Sequence, residues 1–90
     1  MSSKDRDLVE LARFQLGALD FCQQINLLGK KLLKGVESAE ISLQDDVSRV
    51  LLHRIESIAD KLVSTSSYGQ QEMTTALRRT RAELTQWNNM

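Results

Sequence analysis

Proline is absent from this ninety-residue chain, and cysteine occurs once, as Cys22. The first absence leaves every segment free to be helical. The second excludes an intramolecular disulfide, so nothing in the sequence calls for an oxidising compartment. Aromatic residues are scarce, with only Phe14, Phe21, Tyr68 and Trp87; aliphatic side chains must therefore do most of the packing. Neither charge sign predominates. Twelve basic residues balance twelve acidic ones, and residues 1–41 alone carry six of each. A chain without a basic excess is not a default binder of nucleic acid or anionic membrane. Long hydrophobic runs are missing too: the longest wholly aliphatic stretch, Val50-Leu51-Leu52, falls far short of the roughly 20 residues that cross a bilayer. The N-terminal stretch is charged from Lys4 to Asp7 and interrupted again at Glu10 and Arg13, which gives no reason to expect a signal peptide. The expectation is a cytoplasmic protein with no membrane segment and no small-molecule substrate.

Helical periodicity is what the chain does have. Leu11, Phe14, Ala18, Phe21, Ile25, Leu28 and Leu32 follow one another at alternating spacings of three and four, the signature of a helix seam. Ser2 or Ser3 can cap the start, with Asp5 and Asp7 near the positive end of the dipole. Lys30, Lys31 and Lys34 near Gly35 predict an end close to residue 34. At 100° per residue the apolar positions cover about half the circumference, wider than one partner helix needs. A rod of some 30 residues is about 45 Å long, whereas a compact 90-residue globule is about 30 Å across. The helix must kink at Gly17 or Gly29, or the domain must be elongated, or a second subunit must cover the surplus. Gly29 lies inside the apolar arc, where it suits close approach of another backbone.

Residues 35–42 read as a connection. Ser42 with Asp45 has the form of a capping box, and Val47, Leu51, Ile55, Ile58, Ala59 and Leu62 share one side of a second helix over 42–64. The cluster Ser64-Thr65-Ser66-Ser67-Tyr68-Gly69 reads as a turn. Beyond it, Met73, Ala76, Leu77, Leu84 and Trp87 make the narrow stripe of a weaker third helix over 70–87, whose threonines lower its intrinsic helicity. The expected fold is one all-α domain over residues 1–90: an elongated three-helix bundle in which a long antiparallel hairpin packs, coiled-coil fashion, with a weaker third helix.

Candidate chemistry is sparse. His53, Glu56 and Asp60 share a helix face, but a bundle metal site needs inward ligands from several helices, and this face is polar. Cys22 sits on the apolar side with no histidine or lysine near it in sequence to activate it, which makes it a core residue. One histidine and one cysteine cannot supply a nucleophile, a base and an orienting group, so no catalytic, cofactor or metal residue is assigned. Lys30-Lys31-Leu32-Leu33-Lys34-Gly35 resembles the H-x-L-K-G motif of histidine phosphotransfer domains over six residues, with Lys31 where the phosphorylated histidine would stand. The resemblance implies a helical bundle carrying no phosphoryl group.

Residues 58–81 resemble a helix-turn-helix, with Arg78, Arg79 and Arg81 on the second helix. They depart from it at Val63, Ser64 and Gly69. On this alternative the chain is a DNA-binding regulator acting as a dimer. The leading expectation is a non-enzymatic interaction module that self-associates or takes a helical partner, of the adaptor, chaperone, immunity or anti-activator kind. Its core or interface residues would be Leu11, Phe14, Ala18, Phe21, Ile25, Leu28, Leu32, Leu51, Ile55, Ile58, Leu62, Leu77, Leu84 and Trp87.

Overall fold

In the computed structural model, which describes residues 3–88, the chain is a single antiparallel helical hairpin. Helix α1 spans Ser3–Ser42 and helix α2 spans Asp46–Asn88, joined by residues 43–45. The body measures 67 × 15 × 15 Å. Its radius of gyration, 19.9 Å, far exceeds the roughly 12 Å of a compact globule of this length. Elongation is therefore how the long first helix is accommodated; neither Gly17 nor Gly29 interrupts it.

The expected third helix is not separate, because α2 runs unbroken through residues 64–69. Small polar side chains that read as a turn are accommodated inside the helix. Ser66 is buried, and its hydroxyl donates to the Val63 carbonyl at 3.1 Å. Further along, the hydroxyls of Thr74, Thr80 and Thr85 each donate to the carbonyl four residues earlier, a local pairing that satisfies the side chain without ending the helix. Continuity over 58–81 also removes the turn that a helix-turn-helix requires. Arg78, Arg79 and Arg81 lie exposed on three sides of one rod.

The end of α1 moves as well. No glycine among the described residues has a positive φ, so Gly35 continues the helix, and Val36 just beyond it is buried at 3% exposure. Packing of Val36 outweighs the stop signal. Lys30, Lys31 and Lys34 are consequently exposed residues within the helix rather than partners of its C-terminal dipole. The Leu43 amide donates to the Ala39 carbonyl at 2.9 Å, and the Arg49 side chain donates through Nε to the Leu43 carbonyl at 3.1 Å. The cap of α2 is Asp45, not Ser42: its Oδ2 accepts from the Ser48 amide at 3.0 Å and the Ser48 hydroxyl at 2.9 Å. Those two bonds, the amide first, hold the Asp45 carboxyl below its ordinary value of 3.8.

The two helices meet along a seam of seven-residue period, running through Leu8, Ala12, Gln15, Leu19, Cys22, Asn26, Gly29, Leu33 and Val36 on α1. Opposite lie Leu52, Ala59, Val63, Ser66, Gln70, Met73, Leu77, Thr80 and Leu84 on α2. Close backbone approach requires the small members. A Cβ on Gly29 would stand 2.8 Å from Val63 Cγ2 and 3.5 Å from the Ala59 carbonyl oxygen, while one on Gly69 would stand 2.8 Å from Cys22 Sγ. Asn26 fixes the register. Its Nδ2 donates to the Val63 carbonyl and to the hydroxyls of Ser66 and Ser67 at 3.0–3.3 Å, and a buried asparagine in a seam penalises slipped alignments. At the open end, Lys4 Nζ lies 4.0 Å from the centroid of the Trp87 ring, a cation–π contact between the two chain ends.

Candidate functional site

The seam holds an unusual set of residues. The side chains sealed inside it are small or polar: Ala59 is fully buried, and Gln15, Asn26, Ser66 and Thr80 are buried with it. Only Val36, Leu52 and Leu77 are larger apolar residues buried to the same degree, and no large side chain among the described residues is completely enclosed. The bulky residues lie outside. Phe14 is 73% exposed, and Phe21 and Leu28 62% each. Leu11, Leu32, Leu51, Ile55, Ile58 and Leu62 are exposed as well.

These residues belong to one face rather than to scattered positions. In an antiparallel pair, the residues flanking the seam on a given side come from both helices. One such side carries Leu11, Phe14, Ala18, Phe21, Ile25, Leu28 and Leu32 of α1 together with Leu51, Ile55, Ile58 and Leu62 of α2. Phe21, Cys22, Ile25, Leu62, Tyr68 and Gly69 line a common groove on it. The other side of the seam is mostly polar, its hollows edged by Glu37, Glu40, Asp60, Gln70, Thr74 and Arg78, with Leu27 exposed beside Gln23. Monomeric proteins seldom expose a contiguous apolar patch beyond a few hundred Å². The groove carries no charged group, and its only hydroxyls are those of Thr65, Ser66 and Tyr68 at its lining; its surface is apolar and suits another apolar helix surface.

Each residue expected in the core or at an interface can now be placed. Leu77 is buried in the seam; Ala18, Ile25, Leu84 and Trp87 are half-buried; the other nine are exposed, and all but Leu77, Leu84 and Trp87 of the whole set lie on the apolar face. Cys22 was expected in the core and is half-buried, on the boundary between seam and groove. Sequence reasoning passes over Gln15 and Asn26 and reads Ser66 as part of a turn, while Thr80 shares the stripe of Met73, Leu77 and Leu84. The one signal common to these four is the seven-residue spacing they share with Gly29, Ala59 and Leu77, carried by residues that hydrophobic patterning does not count.

Near the connection, Glu40 of α1 comes beside His53 and Glu56 of α2, with potential ligand atoms within 4.8 Å of one another. His53 Nδ1 is 3.5 Å from Glu56 Oε2. Asp60, which shares a helix face with His53 and Glu56 in sequence, is replaced in this group by Glu40. All three side chains are exposed or half-buried, and the guanidinium of Arg49 lines the same hollow, where its charge opposes a bound cation. A solvated cluster of charges accounts for the arrangement.

No protein-family model matches the chain, and comparisons with curated proteins and with solved structures find no match. No helix among the described residues is long and apolar enough to cross a membrane.

Proposed function

We propose that this chain is a non-enzymatic interaction module of the cytoplasm, a helical hairpin that docks a partner helical surface on its apolar face. One observation carries the reading: Phe14, Phe21, Leu28 and their neighbours face outward, while Gln15, Asn26, Ala59, Ser66 and Thr80 occupy buried seam positions beside Val36, Leu52 and Leu77. A hairpin optimised to stand alone would place Phe14, Phe21 and Leu28 inside, where each buried aliphatic or aromatic side chain contributes about 1.5–3 kcal/mol. Here the seam is used for register and close approach, and the hydrophobic driving force is left for association.

The test is a charge placed on the face but off the seam. Phe21→Asp and Ile58→Lys each put an ion where a partner would desolvate it without a counter-charge. Neither touches the Asn26 bonds, so the far-UV helical signal of the hairpin is kept. Association, followed by sedimentation across a range of concentrations, weakens at least tenfold in either variant relative to a control on the polar side such as Lys31→Asp. Equal weakening in the control, or none in the face variants, would refute the assignment.

A further inference from the structure

Resting on that docking-face reading, we infer that the occupant is a second copy of this chain, stacked face to face about a two-fold axis parallel to the long axis. In this four-helix bundle α1 of one protomer lies over α2 of the other, with both connections at the same end.

Relief along the face carries the choice. Across the seam the residue numbers of level partners add to about 91, as for Cys22 with Gly69 and Lys4 with Trp87; on the apolar face the corresponding pairs add to 90. Toward the chain ends, Phe14 and Phe21 of α1 stand level with Ala76 and Gly69 of α2. Toward the connection the sizes exchange: Leu51 and Ile55 of α2 stand level with Ala39 and Gly35 of α1. Bulk therefore crosses the face on a diagonal, leaving a hollow beside each ridge. Open space at Gly35, where an added Cβ would meet nothing within 4 Å, is one of those hollows.

A two-fold along the axis leaves every level unchanged and exchanges the helices. Phe14 and Phe21 then seat over Ala76 and Gly69 of the other copy, and Leu51 and Ile55 over its Ala39 and Gly35. In the middle Leu28 and Leu32 meet Leu62 and Ile58. The competing symmetric arrangement, with the two-fold across the long axis, reverses the levels. Full overlap then sets Leu51 against Glu83 and Ile55 against Arg79; the two-fold along the axis places Arg79 by Leu11 and Glu72 by Ala18, but seats all four bulky ridge residues, Phe14, Phe21, Leu51 and Ile55, over small ones.

Area and charge agree with a second copy. A compact 10.2 kDa protein exposes about 5,300 Å², whereas the hairpin exposes 6886 Å². Covering the excess of about 1,600 Å² on each of two protomers buries about 3,200 Å², within the range of permanent homodimers. The chain is formally neutral, so no net repulsion separates two copies.

Sedimentation of the full-length chain, combined with a spin–spin distance between nitroxides carried by Gln44→Cys in a Cys22→Ser background, tests this. The expected result is twice the chain mass with the labels within about 30 Å, a few helix diameters. A dimer with labels separated by nearly the 67 Å length of the body would overturn the axis and leave the docking face standing. A monomer would overturn the second copy. Whether the docking face falls with it is then read from an apolar fluorescent dye, anilinonaphthalene sulfonate: binding lost in Ile58→Lys retains the face, and no binding removes both.

Discussion

Two glycines in α1 should respond oppositely to the same substitution. Alanine in place of mid-helix glycine stabilises by about 1 kcal/mol when nothing obstructs the new methyl group. At Gly17 an added Cβ meets nothing within 4 Å, so Gly17→Ala should deliver that full amount. At Gly29 the same carbon falls 2.8 Å from Val63 Cγ2. Valine in a helix holds one rotamer in about nine cases of ten, so rotation away is disfavoured. Overpacking of a close contact costs about 1–3 kcal/mol, which outweighs the propensity gain. Gly29→Ala should therefore destabilise by about 1 kcal/mol, leaving the two variants about 2 kcal/mol apart, or roughly 8–16 °C in Tm for a domain of this size.

The assay is thermal unfolding followed by far-UV circular dichroism, with all variants at one protein concentration because association shifts apparent stability. Val63→Ala supplies the internal control. It removes the atom that the new methyl would strike, so Gly29→Ala made on that background should become stabilising, with a coupling of about 2 kcal/mol between contacting sites. If Gly29→Ala stabilised the wild-type background as much as Gly17→Ala does, the helices could not approach at Gly29 as closely as described.

Gln15 Oε1 is buried without a hydrogen-bond partner among the described residues, so Gln15→Leu should raise stability in urea unfolding by about 1 kcal/mol, because an unmade buried bond is removed. Asn26→Ala should lower it by about 1–3 kcal/mol by deleting a buried donor that three oxygens share. Asp45 contributes through its ionised form: its lowered folded-state pKa means the stabilisation is present above the ordinary value of 3.8 and is lost as pH falls through the lowered value. Asp45→Ala should accordingly reduce Tm more at pH 7 than in acid, with the gap narrowing as pH falls below 3.8, as thermal scans across that range would reveal.

Helical class and elongation were legible because they depend on features that propagate along the chain. Absence of proline, the periodicity of Leu11 to Leu32, and a first helix too long for a globule all survive into the structure. Boundaries were not legible, because the local signals at Gly35 and at Ser64 to Gly69 are identical to those of real helix ends. What overrides them is tertiary. Val36 gains burial in the seam only if α1 continues, and Ser66 and Gly69 are small because Asn26 and Cys22 lie against them. A serine cluster marks a turn when its hydroxyls face solvent, and a close crossing when they bond back to the preceding turn of helix.

The same distinction decides what the face is for. Hydrophobic spacing identifies the stripe from Leu11 to Leu32 as a contact surface but does not say with what, and the natural inference is that the chain's own second helix covers it. The hairpin instead closes through the stripe next to it, where Gly29, Ala59 and Ser66 allow the backbones to approach more closely than leucine-on-leucine packing permits. Close approach spends little apolar area, so the larger side chains remain outside on a body only 15 Å thick. Two stripes one residue apart on one helix, about 100° around its axis, thus have separate tasks, one selecting register within the chain and the other available between chains. Exchanging their composition, through Gln15→Leu and Asn26→Leu in the seam with Phe21→Ser and Leu28→Ser on the face, would favour a self-sufficient monomer and remove the reason to associate.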